Sequence, residues 1–277
     1  MRWLLLTLCA CNRLLGVTGT VIETDARPGD GLPDAQPYCP TMTGVVPRYS
    51  PVLHEIIDQY CVGYQTSATL AIGQCQSPTA GLVVSQGPID MPLHEITGLP
   101  ALSSGHIWQN PRISPEGDVL YLDDFDSATF TAVYHTFARQ ADDSWLPGPT
   151  LPFTSYGFAT LPSRAPQRHV LFFGASAQID EWAQDANDAW QPVRSFDPGA
   201  ASRAIWFAPD GLRAVVVVMS NATTRTALLF DRATIDDAFG TPQPVPTLPA
   251  ADDLFINADC TRAYMSGADS VFYAQQI

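Results

Sequence analysis

The sequence predicts an all-β protein built from repeated small units, because turn motifs recur in a fixed order along it. In the first motif, a turn such as Ser-Pro-Glu-Gly at 114–117 precedes a short apolar run. The second residues of its four copies are 51, 43 and 49 residues apart: Pro115, Pro166, Pro209 and Ala258. A second motif, Asp-Asp-Ser-Trp at 142–145, returns 45 residues later as Asn-Asp-Ala-Trp at 187–190. Leu-Pro pairs at 99–100, 151–152 and 248–249 close units in the same order.

The chemistry of these motifs is that of β-hairpins. Proline presets the backbone for the first turn position, and Asp or Glu with Gly completes the turn before the next strand begins. The composition agrees, with 24 Pro and 19 Gly in 277 residues and, among 28 acidic residues, 23 Asp against five Glu. Asp favours turns, whereas Lys, which is absent, and Glu favour helix surfaces.

Each unit contains about four apolar runs, which in the second unit lie at 110–113, 119–123, 130–138 and 145–151. Four strands in about 45 residues are typical of a propeller blade. Residues 106–277 resemble the TolB-type propeller repeat, in which a Ser-Pro-Asp-Gly turn joins the two innermost strands of a blade. A first blade with weaker markers fits residues 61–105. The resemblance therefore implies a five-bladed β-propeller, and we expect a segment within residues 17–50 to supply the last outer strand.

One short helix is also expected. Ser50 is a good helix cap and Pro51 a good first helical residue. The apolar residues that follow share one helical face: Val52, Leu53, Ile56, Ile57 and Tyr60.

The N-terminus resembles the signal of a bacterial lipoprotein. A basic start and a short apolar run lead into Leu8-Cys9-Ala10-Cys11, which is similar to the lipobox, so the resemblance implies lipidation of Cys11. This interpretation predicts a signal peptide over 1–10, a lipid-anchored tether over 11–47 and the propeller over 48–277. Asn12, in place of Asp, favours the outer membrane of the cell envelope. An ordinary signal peptide or a fortuitous apolar run are the alternatives.

Four further cysteines suggest two disulfides in an exported chain. Cys61 and Cys75 flank a tight turn symmetrically, so we expect them to pair across a hairpin. Cys39 would then pair with Cys260 and attach the tether to the last repeat. Four unpaired buried thiols are the alternative.

The remaining signals bear on function. A net charge of −14 argues against nucleic acid as a partner. The carboxylates of Asp123, Asp124 and Asp126 follow one strand, which suits a cation site, a glycosidase-like acid pair or a solvated loop. No metal or cofactor motif is present, and the five His and the repeated Trp145 and Trp190 fit structural roles. The sequence therefore favours a non-catalytic binding or scaffolding propeller with a protein or carbohydrate partner on one face, attached to the membrane by its lipid alone. A carbohydrate-active enzyme is the alternative.

Overall fold

The computed structural model describes residues 46–277, apart from 78–80, 155–156, 161–167, 175–177, 188, 220, 222–223, 249–250, 252 and 268. This part of the chain consists of β-strands and turns, and none of it forms a helix long and apolar enough to cross a membrane. The strands form five antiparallel sheets of four strands each. The predicted five-bladed β-propeller is confirmed.

Four blades are built from consecutive strands. Blade 1 contains β2 (Cys61–Thr66), β3 (Ala71–Ser77), β4 (Gly81–Gly87) and β5 (His94–Glu95). Blade 2 contains β6 (His106–Ile113), β7 (Val119–Asp126), β8 (Thr131–Arg139) and β9 (Trp145–Thr154). Blade 3 contains β10 (Gly157–Ala159), β11 (His169–Gly174), β12 (Ile179–Gln184) and β13 (Trp190–Phe196). Blade 4 contains β14 (Ala201–Phe207), β15 (Arg213–Met219), β16 (Arg225–Asp231) and β17 (Gln243–Pro244).

Blade 5 takes its strands from both ends of the described chain. It contains β18 (Phe255–Ile256), β19 (Arg262–Ser266) and β20 (Val271–Gln276), and its fourth strand is β1 (Tyr49–Ile57), which pairs antiparallel with β20. The predicted closure by an N-terminal segment is therefore confirmed, although the strand extends past the expected limit at residue 50. Tyr49 fixes the start of the strand, because it is fully buried and its amide donates to Thr247 Oγ1 at 2.9 Å.

The short helix predicted to begin at Ser50 is wrong, since these residues form β1. Two register shifts interrupt the pairing of β1 with β20, and they break the alternation that would have marked a strand. Residues 51–55 are exposed on an outermost strand, so Val52 and Leu53 are adjacent apolar residues at a sheet edge. The hydrogen bonds that close the ring override the local helical pattern.

The predicted turns join the first two strands of a blade. In blade 2 the Ser114 carbonyl accepts a hydrogen bond from the Gly117 amide at 2.9 Å, and Gly117 has a φ of +83°. In blade 4, Ala208 and Gly211 repeat this contact at 2.8 Å. Blade 5 places Cys260 at the glycine position with a φ of +61°, which explains why its motif is degenerate in sequence. The predicted turn around Pro166 lies outside the described residues.

The disulfide between Cys61 and Cys75 is present, and the two residues face each other directly on β2 and β3. Both are fully buried beside Tyr64 and Tyr264, at the contact of blades 1 and 5. Cys260 is disulfide-bonded as well, but Cys39 lies outside the described residues, so their pairing stays a prediction.

A buried charge cluster joins blades 3 and 4. The Glu181 carboxylate of β12 is fully buried and accepts hydrogen bonds from Arg232 Nη1 at 2.8 and 3.0 Å. His169 Nδ1 lies 2.5 Å from one oxygen of Glu181, and Arg194 Nε lies 3.1 Å from the other. Burial by itself would raise the pKa of Glu181, but the His169 hydrogen bond and the Arg232 charge outweigh it and lower that pKa.

Candidate functional site

The first strands of all five blades end around one cavity. Its walls include the ends of β2, β6 and β14, both residues of β18, and Thr160, which follows β10. The first strands are therefore the innermost strands, and the cavity lies on the axis of the propeller, at the end where these strands enter their turns. It measures about 40 Å³ in the space open to the centre of a water molecule.

The cavity wall is formed by the same position of successive blades. In blades 1, 2, 4 and 5 the first turn residue donates its amide to the carbonyl that begins, or directly precedes, the second strand. The side chains two residues before that turn residue line the cavity in the four blades where they are described: Gln65, Arg112, Trp206 and Phe255. The fold thus brings to one point four residues that are far apart in sequence, and Arg112 is the charged one among them.

Most of the lining is apolar. The polar lining side chains are Gln65, Thr66, Arg112 and Thr160. The apolar part of the wall contains Ile113, Ile205, Trp206, Phe207, Leu254, Phe255 and Ile256. An apolar concavity with a few polar groups is the usual form of a small-molecule site.

Arg112 is positioned by an irregularity in β6. The pairing of β6 with β7 shifts register between Gln109 and Arg112, and Asn110 within this bulge has a φ of +50°. The Arg112 guanidinium donates one hydrogen bond, from Nη1 to the Pro111 carbonyl at 3.0 Å, among the residues that the structure describes. Burial lowers the pKa of Arg112 from its very high usual value, while the nearby charges of Asp123 and Asp253 act to raise it. Arg112 remains a cation with unused donors.

Asp123 lies on β7, the strand that pairs with the strand of Arg112, and is 1% exposed. Its Oδ2 accepts a hydrogen bond from Asn110 Nδ2 at 2.7 Å, and its buried Oδ1 has no hydrogen-bond partner. Burial raises the pKa of Asp123 to about 7, against the opposing effects of the Asn110 hydrogen bond and the Arg112 charge. Asp123 can therefore take up a proton near neutral pH.

The second carboxylate near Arg112 is that of Asp253, which comes just before β18. Its Oδ2 accepts a hydrogen bond from the Gly63 amide at 2.8 Å, and its Oδ1 accepts one from the Ser266 amide at 2.9 Å. Ser266 Oγ also hydrogen-bonds to Asp253 and to the Cys61 carbonyl. Oδ2 of Asp253 thus joins blade 5 to blade 1, and Oδ1 is held within blade 5.

The three carboxylates singled out in the sequence do not converge. Neighbouring residues of a strand point to opposite faces, which separates Asp123 from Asp124. Asp124 Oδ1 lies 2.7 Å from His106 Nδ1. Asp126 accepts hydrogen bonds from the Ala128 amide and the Thr129 hydroxyl, so it shapes its own hairpin turn. Within the described residues, no group of three or more His, Cys, Asp or Glu could hold a metal ion.

Two of the histidines and both repeated tryptophans have packing partners. His54 stacks on Tyr273, and the His135 ring meets the edge of Trp108. Trp145 is 5% exposed, and its Nε1 donates to Gln86 of blade 1 at 2.8 Å. Trp190 packs with the cluster that contains Tyr134, Val170 and Phe172. His94 is exposed.

Fold and cavity together define a five-bladed β-propeller with a small axial cavity. No protein-family model matches the sequence, and a search of curated proteins finds no match. Among solved structures, the chain is similar to a functionally unknown protein from Desulfotomaculum acetoxidans, with 13% identity and a TM-score of 0.47 over 74% of this chain and 62% of that one.

Two enzymes show comparable similarity. A gluconolactonase from Xanthomonas campestris matches with 11% identity and a TM-score of 0.48 over 78% of this chain and 72% of its own. An exo-β-1,3-galactanase from Phanerochaete chrysosporium matches with 8% identity and a TM-score of 0.49 over 78% of this chain and 59% of its own. At these values the similarities carry no argument about activity.

Proposed function

We propose that this protein is an exported propeller that binds a small ligand in its axial cavity without transforming it. The observation that carries the proposal is the cavity lining, which combines aromatic and aliphatic walls with one cation, Arg112. Such a lining provides contact area and one strong polar anchor, which is what binding requires.

The positions of the carboxylates favour binding over glycoside hydrolysis. A glycosidase needs two carboxyl groups that flank the scissile bond, one as an acid and one as a base or nucleophile. Asp253 has both oxygens occupied by backbone and hydroxyl donors, and Asp123 lies behind Arg112 within blade 2. Neither lines the cavity wall.

Two features support export to an oxidising compartment. The Cys61–Cys75 disulfide is of the kind that persists in exported proteins and is rare in the cytosol. The lipobox-like Leu8-Cys9-Ala10-Cys11 supplies the signal and the anchor in this proposal. Attachment through Cys11 would place the protein in the cell envelope, at the outer membrane, with the propeller free to meet a ligand.

A ligand panel tests the function. The mature chain is mixed with small anionic, cationic and neutral organic molecules, with chromogenic glycosides and with gluconolactone. Binding is followed by the shift of the thermal midpoint, and conversion by NMR of the ligands. The expected result is a saturable shift by at least one small molecule with no conversion. Turnover that is lost in Asp123→Asn or Asp253→Asn would overturn the proposal, and so would the absence of any ligand that shifts the midpoint.

A further inference from the structure

The Arg112 guanidinium in the cavity wall is a cation with unused hydrogen-bond donors. It carries five N–H groups in a planar fork, and among the described residues it donates one hydrogen bond, to the Pro111 carbonyl. Asp123 and Asp253 act on it through their charges, but neither accepts a hydrogen bond from it. A guanidinium that is held this way suits a planar acceptor with two oxygens.

Gln65 of blade 1 supplies a second donor beside Arg112. Its Oε1 accepts a hydrogen bond from the Ile113 amide at 3.3 Å, which holds the Gln65 side chain against the end of β6. This contact leaves the Nε2 group without a hydrogen-bond partner among the described residues, and Gln65 is part of the cavity wall. One charged and one neutral donor, from adjacent blades, therefore border the same small space.

The rest of the wall restricts the ligand. Trp206, Phe207 and Phe255 offer apolar surface to whatever part of the ligand lies beyond the two donors. A tetrahedral oxyanion such as phosphate would place further oxygens against these aromatic walls, where an unpaired polar atom is costly. A carboxylate presents two oxygens to the donors and an apolar remainder to the walls.

From these contacts we propose that the cavity binds the carboxylate group of a small organic acid, with Arg112 as its cationic partner and Gln65 as a second donor. The inference rests on the proposed function and deepens it, since it names the ligand class of the same cavity.

The surrounding charges give the site a pH dependence. The charged or titratable groups around Arg112 are Asp123 on β7, Tyr134 on β8 and Asp253 before β18. Asp253 accepts hydrogen bonds at both oxygens and acts on Arg112 through its charge, whereas burial raises the pKa of Asp123 to about 7. Below that pH a protonated Asp123 leaves one anion opposite Arg112, and above it two. Binding of a further anion is therefore expected to weaken as the pH rises from 6 to 8.

The test uses calorimetric titration of the mature chain with propionate, phosphate and propylamine. Propionate is expected to bind, and Arg112→Gln to weaken it by about 10- to 100-fold, as expected for the loss of a charge-assisted hydrogen-bonded pair. Arg139→Gln removes an arginine of the same blade that does not line the cavity and whose partners are Asp143, Thr69 and the Gly117 carbonyl. It serves as the matched control and should bind like the wild type. Circular dichroism confirms that each variant is folded.

Asp123→Asn keeps the test decisive if Arg112→Gln does not fold. Wild-type affinity for propionate should fall between pH 6 and 8, and the Asp123→Asn variant should lose this dependence. Equal binding by Arg112→Gln and wild type, a flat wild-type pH profile, or stronger binding of phosphate than of propionate would each overturn the assignment. If propylamine or a neutral molecule binds without conversion while propionate does not, the inference fails and the proposed function survives; conversion of any ligand defeats the proposed function itself.

Discussion

Replacing Glu181 by alanine should strongly destabilise the folded propeller. The carboxylate is fully buried and balances the Arg232 guanidinium, whose side chain is also fully buried. Without it, Arg232 keeps hydrogen bonds to the carbonyls of Gly211 and Asp237 but has lost its buried counter-charge. Removal of one partner of a buried ion pair costs about 3–5 kcal/mol.

That loss is a substantial fraction of the stability of a typical domain, which is about 5–15 kcal/mol. For a folded unit of this size each kcal/mol moves the thermal midpoint by about 2–4 °C, so Glu181→Ala should lower it by about 6–20 °C. Urea unfolding followed by tryptophan fluorescence measures the free energy directly. Glu95→Ala is the control, because Glu95 is exposed on a two-residue strand, and it should change the free energy of unfolding by about 0.5 kcal/mol or less. A cost below about 1 kcal/mol for Glu181→Ala would refute the argument.

The same cluster should also determine how the free energy of unfolding changes with pH in the acidic range. The His169 hydrogen bond and the Arg232 charge lower the pKa of Glu181 in the folded state below its ordinary value of 4.5, against the effect of burial. The folded state therefore releases this proton more readily than the unfolded state. The resulting stability is complete above about pH 4.5 and is lost as the pH falls through the lower folded-state pKa. Glu181→Gln should flatten this limb, which urea midpoints between pH 3 and 6 would show.

Three further predictions concern other parts of the chain. The double variant Cys61→Ala/Cys75→Ala removes a cross-link between positions 14 residues apart and should lose about 3 kcal/mol of unfolding free energy in urea titrations. Cys11→Ser should release the protein from the membrane fraction, whereas Cys9→Ser, which preserves the lipobox pattern, should not; unchanged fractionation of Cys11→Ser would contradict lipidation. Burial raises the pKa of Asp123 from 3.8 to about 7, so folding stability should fall as the pH rises between these values, and Asp123→Asn should remove that decline in urea titrations.

The blade pattern was readable from the sequence because turn chemistry is local. Ser114 and Gly117 make a turn whose requirements are met within a few residues, so the same residue types recur wherever the turn recurs. The Cys61–Cys75 disulfide was predictable for the same reason, since it spans a single hairpin. β1 was predicted wrongly because its partner, β20, lies more than 200 residues away and its own pattern imitates a helix.

The charge cluster around Glu181 was not visible in the sequence. Its members lie on β11, β12 and β13 and directly after β16, with no spacing that connects them. His169 meets Glu181 across paired strands of blade 3, and the packing of blade 4 against blade 3 brings Arg232 to the same carboxylate. The sequence also grouped Asp123 with Asp124 and Asp126 because they are close along the chain, whereas the pleat of the strand places Asp123 on the opposite face from the other two.

The residues of the axial cavity could be located from the sequence only indirectly. They are far apart along the chain, but each lies at a fixed distance from one of the repeated turns. Counting two residues back from the first turn residue reaches Gln65 in blade 1, Arg112 in blade 2, Trp206 in blade 4 and Phe255 in blade 5. The backbone requirements of the turn do not restrict this position, so its side chain can change without loss of the blade. In these four blades the position faces the axis of the ring. The chemistry of the cavity therefore depends on these four side chains, and Arg112 is the single cation among three uncharged neighbours.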